Sequence, residues 1–477
     1  MKKKVLAMTM MAAMIAAAIA PAASAEEDKV VKLALQGDSL TWQQEIVDKF
    51  EAETGYKVEP ILIPADQDMY TKTMLLMESA DTCPDVIAED GFMVKSDAAA
   101  GKLYCLDDAL ADWEDLSKFD AAMLEGGKGV DGKTYAVMCS TDTQILYYNK
   151  DLLKAIGIEG DWQPKNWQEI IDVASQLKEA NADVEDFIPL FMYASSTYPE
   201  ETSMRTFQLL LSGTNGEWPS QLYDEAEGKW VVDKENLLTT LNFVDDIFNK
   251  SQVAETPAQA ADSSIGELLT ADYMQNGTVG LYVTGSWTLG QFATQYPYPE
   301  AMDVWGCANI PTSDGQEPGY TTMSGGWTWA IPELANNKDG AVELLKYLCG
   351  YDGILARVMY NGEASPRTDV AEAEEYLNQT PSAIPFTKDQ LSYAHFRPSV
   401  EGYSSITTSF TSAVESVATA SATVESARSK EETVETKAET SKPTIYRLTE
   451  DNLHTISPMI GLTEEEIAAF FDIKKDD

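Results

Sequence analysis

The sequence predicts an α/β fold divided between two lobes. From Val30 onward, short apolar strands alternate with amphipathic helices, a pattern typical of β-α-β units in open sheets. Further strand-like runs occur at 279–283, 304–310 and 326–331, so the alternation continues late in the chain. The chain has 477 residues, which is more than one hydrophobic core usually serves. We therefore expect two domains or lobes.

The first elements follow from hydrophobic periodicity and from residues that end helices. In order, they are a strand at 30–35, a helix at 41–54, a strand at 56–63, a helix at 69–80 and a strand at 84–88. Ile46 and Phe50 lie four residues apart on one face of the first helix, and Gly55 is a typical residue after a helix end. These elements alone predict a small parallel sheet.

Later helices show the same signals. The pattern predicts a helix that follows Asn166, a typical N-cap residue, and further helices at 337–348 and 238–249. From about Thr411 the composition changes to Ala, Ser, Thr and Glu, which indicates either an exposed helix or a flexible linker. A capping box at 463–466 then predicts a small amphipathic helix near the end of the chain.

The first 25 residues have the features of a cleaved secretory signal peptide. Lys2, Lys3 and Lys4 precede an apolar run, and Ala23-Ser24-Ala25 gives a small-x-small cleavage pattern. The run is short and Ala-rich with no stop-transfer charges after it, which argues against a membrane anchor. Since the first Cys is Cys83, no lipid anchor is indicated. We expect a mature protein free in the periplasm or outside the cell.

Charge and cysteine usage exclude several classes of protein. The formal net charge is −44, from 78 acidic and 34 basic residues, which excludes nucleic acid as a natural partner. Only six Arg are present, which weakens the case for phosphate or polyanionic ligands. Five scattered Cys do not form a disulfide framework, and buried small residues are the favoured interpretation. A Cys83–Cys105 disulfide stays open at this point.

The sequence offers little material for catalysis or for a metal site. It contains two His and no metal-binding or phosphate-loop spacing. Ser286 in Gly285-Ser286-Trp287 lacks the second Gly of a nucleophile elbow, so a turn residue is the favoured interpretation. A glycosidase carboxylate dyad stays open, because 78 acidic residues place some pairs close by chance. We expect no cofactor and no metal.

Aromatic residues next to Gly at strand ends are the strongest functional signal. Ligands of open α/β sheets bind beyond the carboxyl ends of strands, where such loops emerge. A sugar ring stacks its C–H face on an indole and offers hydroxyls to charged or amide groups. The aromatic candidates are Trp42, Trp287, Trp327 and Tyr403. The polar candidates are Asp38, Glu89, Asp90, Asp142 and Arg367. For each one, packing or a solvated charge is the alternative interpretation.

Several of these motifs, taken in order, resemble the maltose-binding-protein-like receptors of extracellular solute-binding protein family 1. The resemblance covers about 30–417 and rests on these segments: Phe50–Val58, Pro84–Ile87, Asp131–Tyr135, Tyr148–Leu153, Gly285–Trp287, Gly325–Trp327, Ala364–Arg367 and Arg397-Pro398 before Gly402-Tyr403. It implies a type II-like periplasmic binding protein, with two α/β lobes joined by a hinge of crossing strands. It also implies ligand contacts at the eight residues Asp38, Glu89, Asp90, Asp142, Trp287, Trp327, Arg367 and Tyr403.

The expected division of the chain follows from the same resemblance. After a signal peptide at 1–25, the first lobe takes 26–140 and 304–355, the second takes 141–303 and 356–417, and 418–477 is an extension of uncertain structure. The expected function is a monomeric receptor that passes a carbohydrate, an oligosaccharide in the first instance, to an ABC permease. Two alternatives stay open: a secreted carbohydrate-active enzyme, and a receptor for a cationic solute such as a polyamine.

Overall fold

A computed structural model describes residues 29–37, 39–64, 69–214, 222–224, 229–231, 233–400 and 403–427. All of these residues belong to one compact unit of the chain. The predicted signal peptide, Asp38 and the predicted helix at 463–477 lie outside the described residues.

Strands and helices alternate through most of this unit. The strands are β1 (Val30–Gln36), β2 (Lys57–Ile63), β3 (Val86–Asp90), β4 (Ala136–Met138), β5 (Gln144–Asn149), β6 (Ile188–Phe191), β7 (Tyr223–Asp224), β8 (Lys229–Trp230), β9 (Val279–Gly285), β10 (Trp305–Ala308), β11 (Ile310–Pro311), β12 (Tyr320–Thr321), β13 (Met323–Ser324), β14 (Trp327–Ala330) and β15 (His395–Phe396). The α-helices are α1 (Gln43–Thr54), α2 (Met69–Met77), α3 (Val94–Ala99), α4 (Asp107–Leu110), α5 (Ala121–Gly126), α6 (Lys150–Ala155), α7 (Trp167–Ala180), α8 (Pro199–Glu201), α9 (Leu209–Ser212), α10 (Lys234–Asp245), α11 (Pro257–Ala260), α12 (Ile265–Leu268), α13 (Met274–Asn276), α14 (Thr288–Gln291), α15 (Ala301–Val304), α16 (Lys338–Leu348), α17 (Tyr351–Asn361), α18 (Thr368–Ala371), α19 (Glu374–Leu377), α20 (Ile384–Gln390) and α21 (Tyr403–Ala418). Thr202–Gln208, Asp246–Lys250 and Leu269–Tyr273 are π-helical, and Glu114–Lys118 and Leu391–Tyr393 are 3₁₀ turns.

Helix starts follow the capping signals of the sequence. The Asn166 side chain accepts a hydrogen bond from the backbone N–H of Glu169 at 3.0 Å, so α7 begins where the N-cap predicts. The Asn337 side chain caps α16 in the same way through the N–H of Gly340, also at 3.0 Å. The N-cap prediction for Asn166 is confirmed, and the predicted helix at 337–348 is present with Asn337 as its cap.

The first lobe is built on a five-stranded sheet with the order β2-β1-β3-β14-β4. The first three strands of the chain run parallel, which confirms the β-α-β prediction for this part. β14 arrives from much later in the chain and inserts antiparallel between β3 and β4. In this register Trp327 lies opposite Asp90, at the carboxyl end of β3.

The second lobe has a four-stranded sheet with the order β10-β5-β9-β6. Here the expectation of parallel strands holds only for β6 and β9, because β5 runs antiparallel to both of its neighbours. β9 is buried along its whole length and ends at Gly285. The residues that follow it therefore emerge at the edge of this sheet.

Chain segments cross between the lobes in three places. Residues 139–143 connect β4 of the first sheet to β5 of the second. Residues 309–326 return from β10 to β14, and 394–400 leave the first lobe ahead of α21, which packs on the second. The lobes are also in contact where α14 packs against α17. The two backbones approach so closely there that a Cβ on Gly290 would lie 2.3 Å from Cα of Gly362.

The expected lobe boundaries differ from this topology at two points. The prediction places residues 304–355 in the first lobe, but β10 pairs with β5 in the second sheet. It places residues 356–417 in the second lobe, yet Val370 and Tyr376 pack into the hydrophobic core of the first. The reason is that helices α18 and α19 fold back on α17 before the chain crosses.

The described cysteines are all free thiols, so no Cys83–Cys105 disulfide is present. Cys83, Cys139 and Cys349 are buried as small core residues. In the part of the chain that the structure describes, no helix combines the length and the apolar character needed to span a bilayer.

Candidate functional site

A cleft of about 560 Å³ lies between the two lobes. Its volume is in the range of small-molecule sites. Side chains of both lobes line it, and those used below are Trp42, Tyr70, Asp90, Asp142, Glu200, Glu201, Arg205, Trp287, Trp327, Arg357, Glu363 and Arg397. Of the eight predicted site residues, four are therefore in the cleft: Asp90, Asp142, Trp287 and Trp327.

Trp287 enters the cleft from the second lobe because the chain turns sharply after β9. A Cβ on Gly285 would lie 2.0 Å from the Trp287 ring, so only glycine lets the indole fold back over the strand end. The indole is half-buried, and the Arg205 guanidinium stacks over it at 4.9 Å from the ring centroid. The arginine therefore covers part of the ring.

Trp327 enters the cleft from the first lobe, also after a glycine turn. A Cβ on Gly326 would lie 2.2 Å from the carbonyl oxygen of Ser140, so the close approach of two crossing segments requires glycine there. The indole is half-buried and stacks against the Tyr70 ring, with centroids 6.3 Å apart and planes 11° from parallel. Each lobe thus offers one partly exposed tryptophan to the cleft.

Arg205 is the cleft cation without a carboxylate partner among the described residues. Its guanidinium lies 5.3 Å from the Tyr193 ring centroid on one side and 4.9 Å from that of Trp287 on the other. Its Nε is buried with no hydrogen-bond partner in the described part of the protein. Two aromatic rings fix this guanidinium in place, and its hydrogen-bonding edge stays available for a ligand acceptor.

Asp142 lies in the crossing segment 139–143, where the lobes meet. Its side chain accepts a hydrogen bond from Gln144 Nε2 at 3.3 Å, and the residue is 9% exposed. Burial raises the pKa of the Asp142 carboxyl to about 7, while the guanidinium groups of Arg397 and Arg205 act in the opposite direction. The carboxyl group therefore changes protonation near neutral pH, inside the cleft.

Two further arginines line the cleft and are paired with carboxylates. Arg397 bonds Asp90 at 2.7 Å and Glu200 at 2.6 Å. Arg357 bonds Glu363 at 2.9 Å and lies 5.8 Å from the centroid of the Trp42 ring. Arg205, Arg357 and Glu200 are not among the site residues predicted from the sequence, where Arg397 is only part of a motif. For the two arginines, the only relevant feature of the sequence is that arginine is scarce, and this by itself argues only against anionic ligands. Glu200 has no comparable signal.

Glu89 is not in the cleft, although Asp90 is. Successive residues of a strand point to opposite faces, so Asp90 turns to the cleft and Glu89 to the other side of β3. Glu89 is 5% exposed, and neither of its carboxylate oxygens has a hydrogen-bond partner among the described residues. Burial is the main cause that raises its pKa well above the usual range, with Asp97 adding to the effect. The prediction of a ligand contact at Glu89 is corrected accordingly.

Arg367 is also outside the cleft, in the interior of the first lobe. Its guanidinium bonds Asp115 at 2.7 Å and Asp369 at 2.8 Å, and donates to the backbone carbonyl of Cys349 at 3.1 Å. It also lies over the Phe119 ring. These partners occupy the guanidinium, so Arg367 ties α18 to the lobe and does not face a ligand.

Tyr403 begins α21 and is 3% exposed, and it does not line the cleft. Its hydroxyl accepts a hydrogen bond from Gln208 Nε2 at 2.6 Å, and its ring meets Phe92 edge-on. Tyr403 packs at the start of α21, between Phe92 and Gln208, so an aromatic residue at this position fills a packing role. Asp38, the remaining predicted contact, lies outside the described residues.

The family of the chain is shown by a profile match over most of its length. The profile of bacterial extracellular solute-binding proteins matches residues 34–353. The chain belongs to this family. A probable ABC transporter-binding protein of Deinococcus radiodurans is 25% identical over 296 residues, covering 61% of this chain and 65% of the relative. A maltooligosaccharide ABC transporter solute-binding lipoprotein of Streptococcus pneumoniae is 22% identical over 64% of each chain. The alignments thus span slightly less than two thirds of these two relatives.

Solved structures show the same two-lobed fold. Maltose-bound MalE3 of T. maritima superposes with a TM-score of 0.71 at 22% identity, covering 86% of this chain and 99% of that one. A solute-binding protein of Thermotoga lettingae bound with α-D-tagatose gives a TM-score of 0.72 at 20% identity, with coverages of 86% and 99%. The two-lobed periplasmic binding-protein fold expected from the sequence is confirmed.

The position of Arg367 predicts a structural role that can be measured. Arg367→Ala removes two ion pairs and one hydrogen bond to a buried carbonyl, while both carboxylates stay partly solvated. We expect a loss of roughly 2–3 kcal/mol in the free energy of unfolding. Urea unfolding followed by circular dichroism measures it. A stability loss below about 0.5 kcal/mol, the usual size of a surface change, would contradict this role.

The raised pKa of Asp142 predicts a pH dependence of stability. Because the folded protein favours the neutral form of the Asp142 carboxyl, this group contributes to the free energy of unfolding at low pH. The contribution is complete below the pKa of the group in the unfolded chain and is lost as pH rises from about 4 to about 7. Asp142→Asn, which cannot ionise, should gain stability relative to wild type across this window, by roughly 1–4 kcal/mol in total. Unfolding curves measured between pH 4.5 and 8 test the trend.

Asp131→Asn is the matched control for this measurement. Asp131 is exposed, and a hydrogen bond from the backbone N–H of Lys133 is the main cause that lowers its pKa. Its substitution should change stability by an amount that stays constant between pH 5 and 8. A constant difference for Asp142→Asn as well would contradict the raised pKa.

Proposed function

We propose that the protein is an extracytoplasmic receptor that captures a carbohydrate between its lobes and delivers it to an ABC permease. The observation that carries this proposal is the pair of half-buried tryptophans, Trp287 from the second lobe and Trp327 from the first, in one cleft. Aromatic faces beside free polar groups are the surface that a sugar ring needs, because its C–H face stacks and its hydroxyls bond.

Polar groups of both kinds lie near these rings. Arg205 supplies N–H donors and has no carboxylate partner among the described residues. The Asp142 carboxyl accepts one long hydrogen bond, from Gln144 at 3.3 Å, and Glu201 lines the cleft without a cation partner in the described ranges. A hydroxyl both donates and accepts, so a polyol satisfies all three groups together.

Relatives of the family support a carbohydrate ligand. The Streptococcus pneumoniae relative is a maltooligosaccharide receptor, and the solved structures carry maltose and tagatose. The volume of about 560 Å³ has room for more than one sugar ring, which favours an oligosaccharide. We place the mature protein in the periplasm or outside the cell, consistent with its family and its N-terminal sequence.

The proposed mechanism is binding without turnover. A ligand that contacts both lobes stabilises their closed arrangement and shifts the hinge equilibrium toward it. The three crossing segments are the parts of the chain that bend, and the permease would recognise the closed form. No group in the cleft is assigned a catalytic role, and we propose a monomeric binding protein, not an enzyme.

A cationic solute is the second candidate, because of the charges in the cleft. Its lining includes the five carboxylates of Asp90, Asp142, Glu200, Glu201 and Glu363 against three guanidinium groups. A polyamine would use the unpaired carboxylates together with cation–π contacts to the tryptophans. A thermal-shift panel of oligosaccharides and polyamines separates the two candidates, and release of cleaved sugar would instead identify an enzyme.

Trp287→Ala should weaken carbohydrate binding at least about tenfold, because it removes the stacking surface of one lobe. The melting temperature of the ligand-free protein should change little, since the indole is only half-buried. Isothermal titration calorimetry with the carbohydrate that gives the largest thermal shift measures the affinity.

Trp162→Ala is the matched control for this substitution. Trp162 is a half-buried tryptophan of the second lobe that packs edge-on against Tyr148, outside the cleft. It should leave the affinity unchanged. Equal affinity losses in both variants, or a large loss of ligand-free stability in Trp287→Ala alone, would show that Trp287 is a packing residue.

A further inference from the structure

A buried ion bridge spans the cleft from one lobe to the other. Arg397 Nη2 donates to Asp90 Oδ1 at 2.7 Å, and its Nη1 donates to Glu200 Oε1 at 2.6 Å. The side chains of Arg397, Asp90 and Glu200 are 4%, 8% and 16% exposed. We call these three residues the Arg397 bridge. One guanidinium thus satisfies two carboxylates in a site largely closed to water.

The two carboxylates belong to different lobes. Asp90 is the last residue of β3 in the first sheet, and its second oxygen accepts a hydrogen bond from the Tyr70 hydroxyl at 3.1 Å. Glu200 lies in α8 of the second lobe, which is tied to α21 by the Thr411 hydroxyl bonded to the carbonyl of Pro199 at 2.7 Å. Any opening of the cleft that separates α8 from β3 must therefore break the bridge.

Arg397 itself is held in the last crossing segment. The backbone N–H of His395, two residues before it, donates to the carbonyl of Thr322 at 2.9 Å. Two residues after it, the Ser399 hydroxyl bonds the carbonyl of Phe92 at 2.7 Å. The guanidinium also lies 4.1 Å from the centroid of the Phe92 ring. These contacts fix the arginine at the hinge, beside the first lobe, from where it reaches Glu200.

We propose that Arg397 is a positioning residue that holds the two lobes, in the ligand-free protein, at the spacing that this structure shows. Without its charge, the Asp90 and Glu200 carboxylates would face each other in a poorly solvated site, and their repulsion would drive the lobes apart. A bridge that restricts the lobes to fewer spacings lowers the ordering cost that a ligand meets on binding. This inference goes beyond the proposed function and does not depend on the ligand being a sugar.

Single-molecule fluorescence energy transfer on the full ligand-free chain measures the lobe spacing. Dyes are attached through unnatural amino acids at Val130 in the first lobe and Met302 in the second, which are 73% and 41% exposed. Arg397→Gln should shift the distance distribution to longer values, by more than the width of the wild-type peak. Arg397→Lys keeps the charge but not the two-pronged geometry, and should give an intermediate distance.

Arg357→Gln is the matched control, because Arg357 also lines the cleft and pairs with a carboxylate, Glu363. Its Nη2 also bonds the Ser140 hydroxyl at 3.3 Å in the first crossing segment, but neither of these partners lies in a helix or strand of the second lobe. Arg357→Gln should leave the distance unchanged. Glu200→Gln, at the most exposed member of the bridge, should lengthen the distance in the same direction as Arg397→Gln, and it supplies the test if Arg397→Gln does not fold.

Wild-type distances in folded Arg397→Gln or Glu200→Gln protein would overturn the proposal. The proposal would also fail if Arg357→Gln opens the lobes as far as those two variants do. No ligand is added, so a failure of the carbohydrate proposal leaves this result interpretable.

Discussion

The contact between the crossing segments 139–143 and 309–326 is the constraint on which the rest of the site depends. The Ser324 hydroxyl donates to the backbone carbonyl of Asp142 at 2.6 Å, and the Thr141 hydroxyl donates to the carbonyl of Gly325 at 2.9 Å. These bonds bring both crossings to one place at the base of the cleft. The residue next to each cleft tryptophan also contacts the crossing segment 139–143. On the side of Trp287, the N–H of Thr143 donates to the hydroxyl of Ser286 at 3.2 Å. On the other side, Gly326, next to Trp327, packs against Ser140.

The charge distribution explains how an acidic protein presents cations to its cleft. Only six arginines occur in the chain, with a formal net charge of −44, yet Arg205, Arg357 and Arg397 all line the cleft. Two of them are neutralised by adjacent carboxylates. The third, Arg205, is held by aromatic rings and has no ion-pair partner among the described residues, so one edge of its guanidinium is available to a ligand acceptor.

Much of the fold was predictable because local signals agreed with it. The helices at 167–180 and 338–348, the N-cap at Asn166 and the parallel strands of the first lobe are all correctly predicted by the sequence. The placement of β14 between β3 and β4 was not predictable, since strand pairing across more than two hundred residues leaves no local mark. The packing of α18 and α19 on the first lobe was not predictable either, because it depends on contacts in the hydrophobic core of that lobe.

The candidate site was predictable only where backbone geometry left a sequence signal. Glycine before Trp287 and Trp327 marked both turns, and both indoles are in the cleft. A carboxylate pair at a strand end gave no indication of which residue faces the cleft, and the structure places Asp90 there but not Glu89. Arg367 and Tyr403 lie outside the cleft, which the sequence could not show because a motif does not reveal the partners that bury its side chains.

A crystal structure of the full chain, grown with the carbohydrate that stabilises it most, tests the central claim most directly. We expect sugar rings stacked on the indoles of Trp287 and Trp327, with hydroxyls bonded to Arg205 and Asp142. A carbohydrate bound anywhere else on the protein, or stacked on neither indole, would contradict this claim.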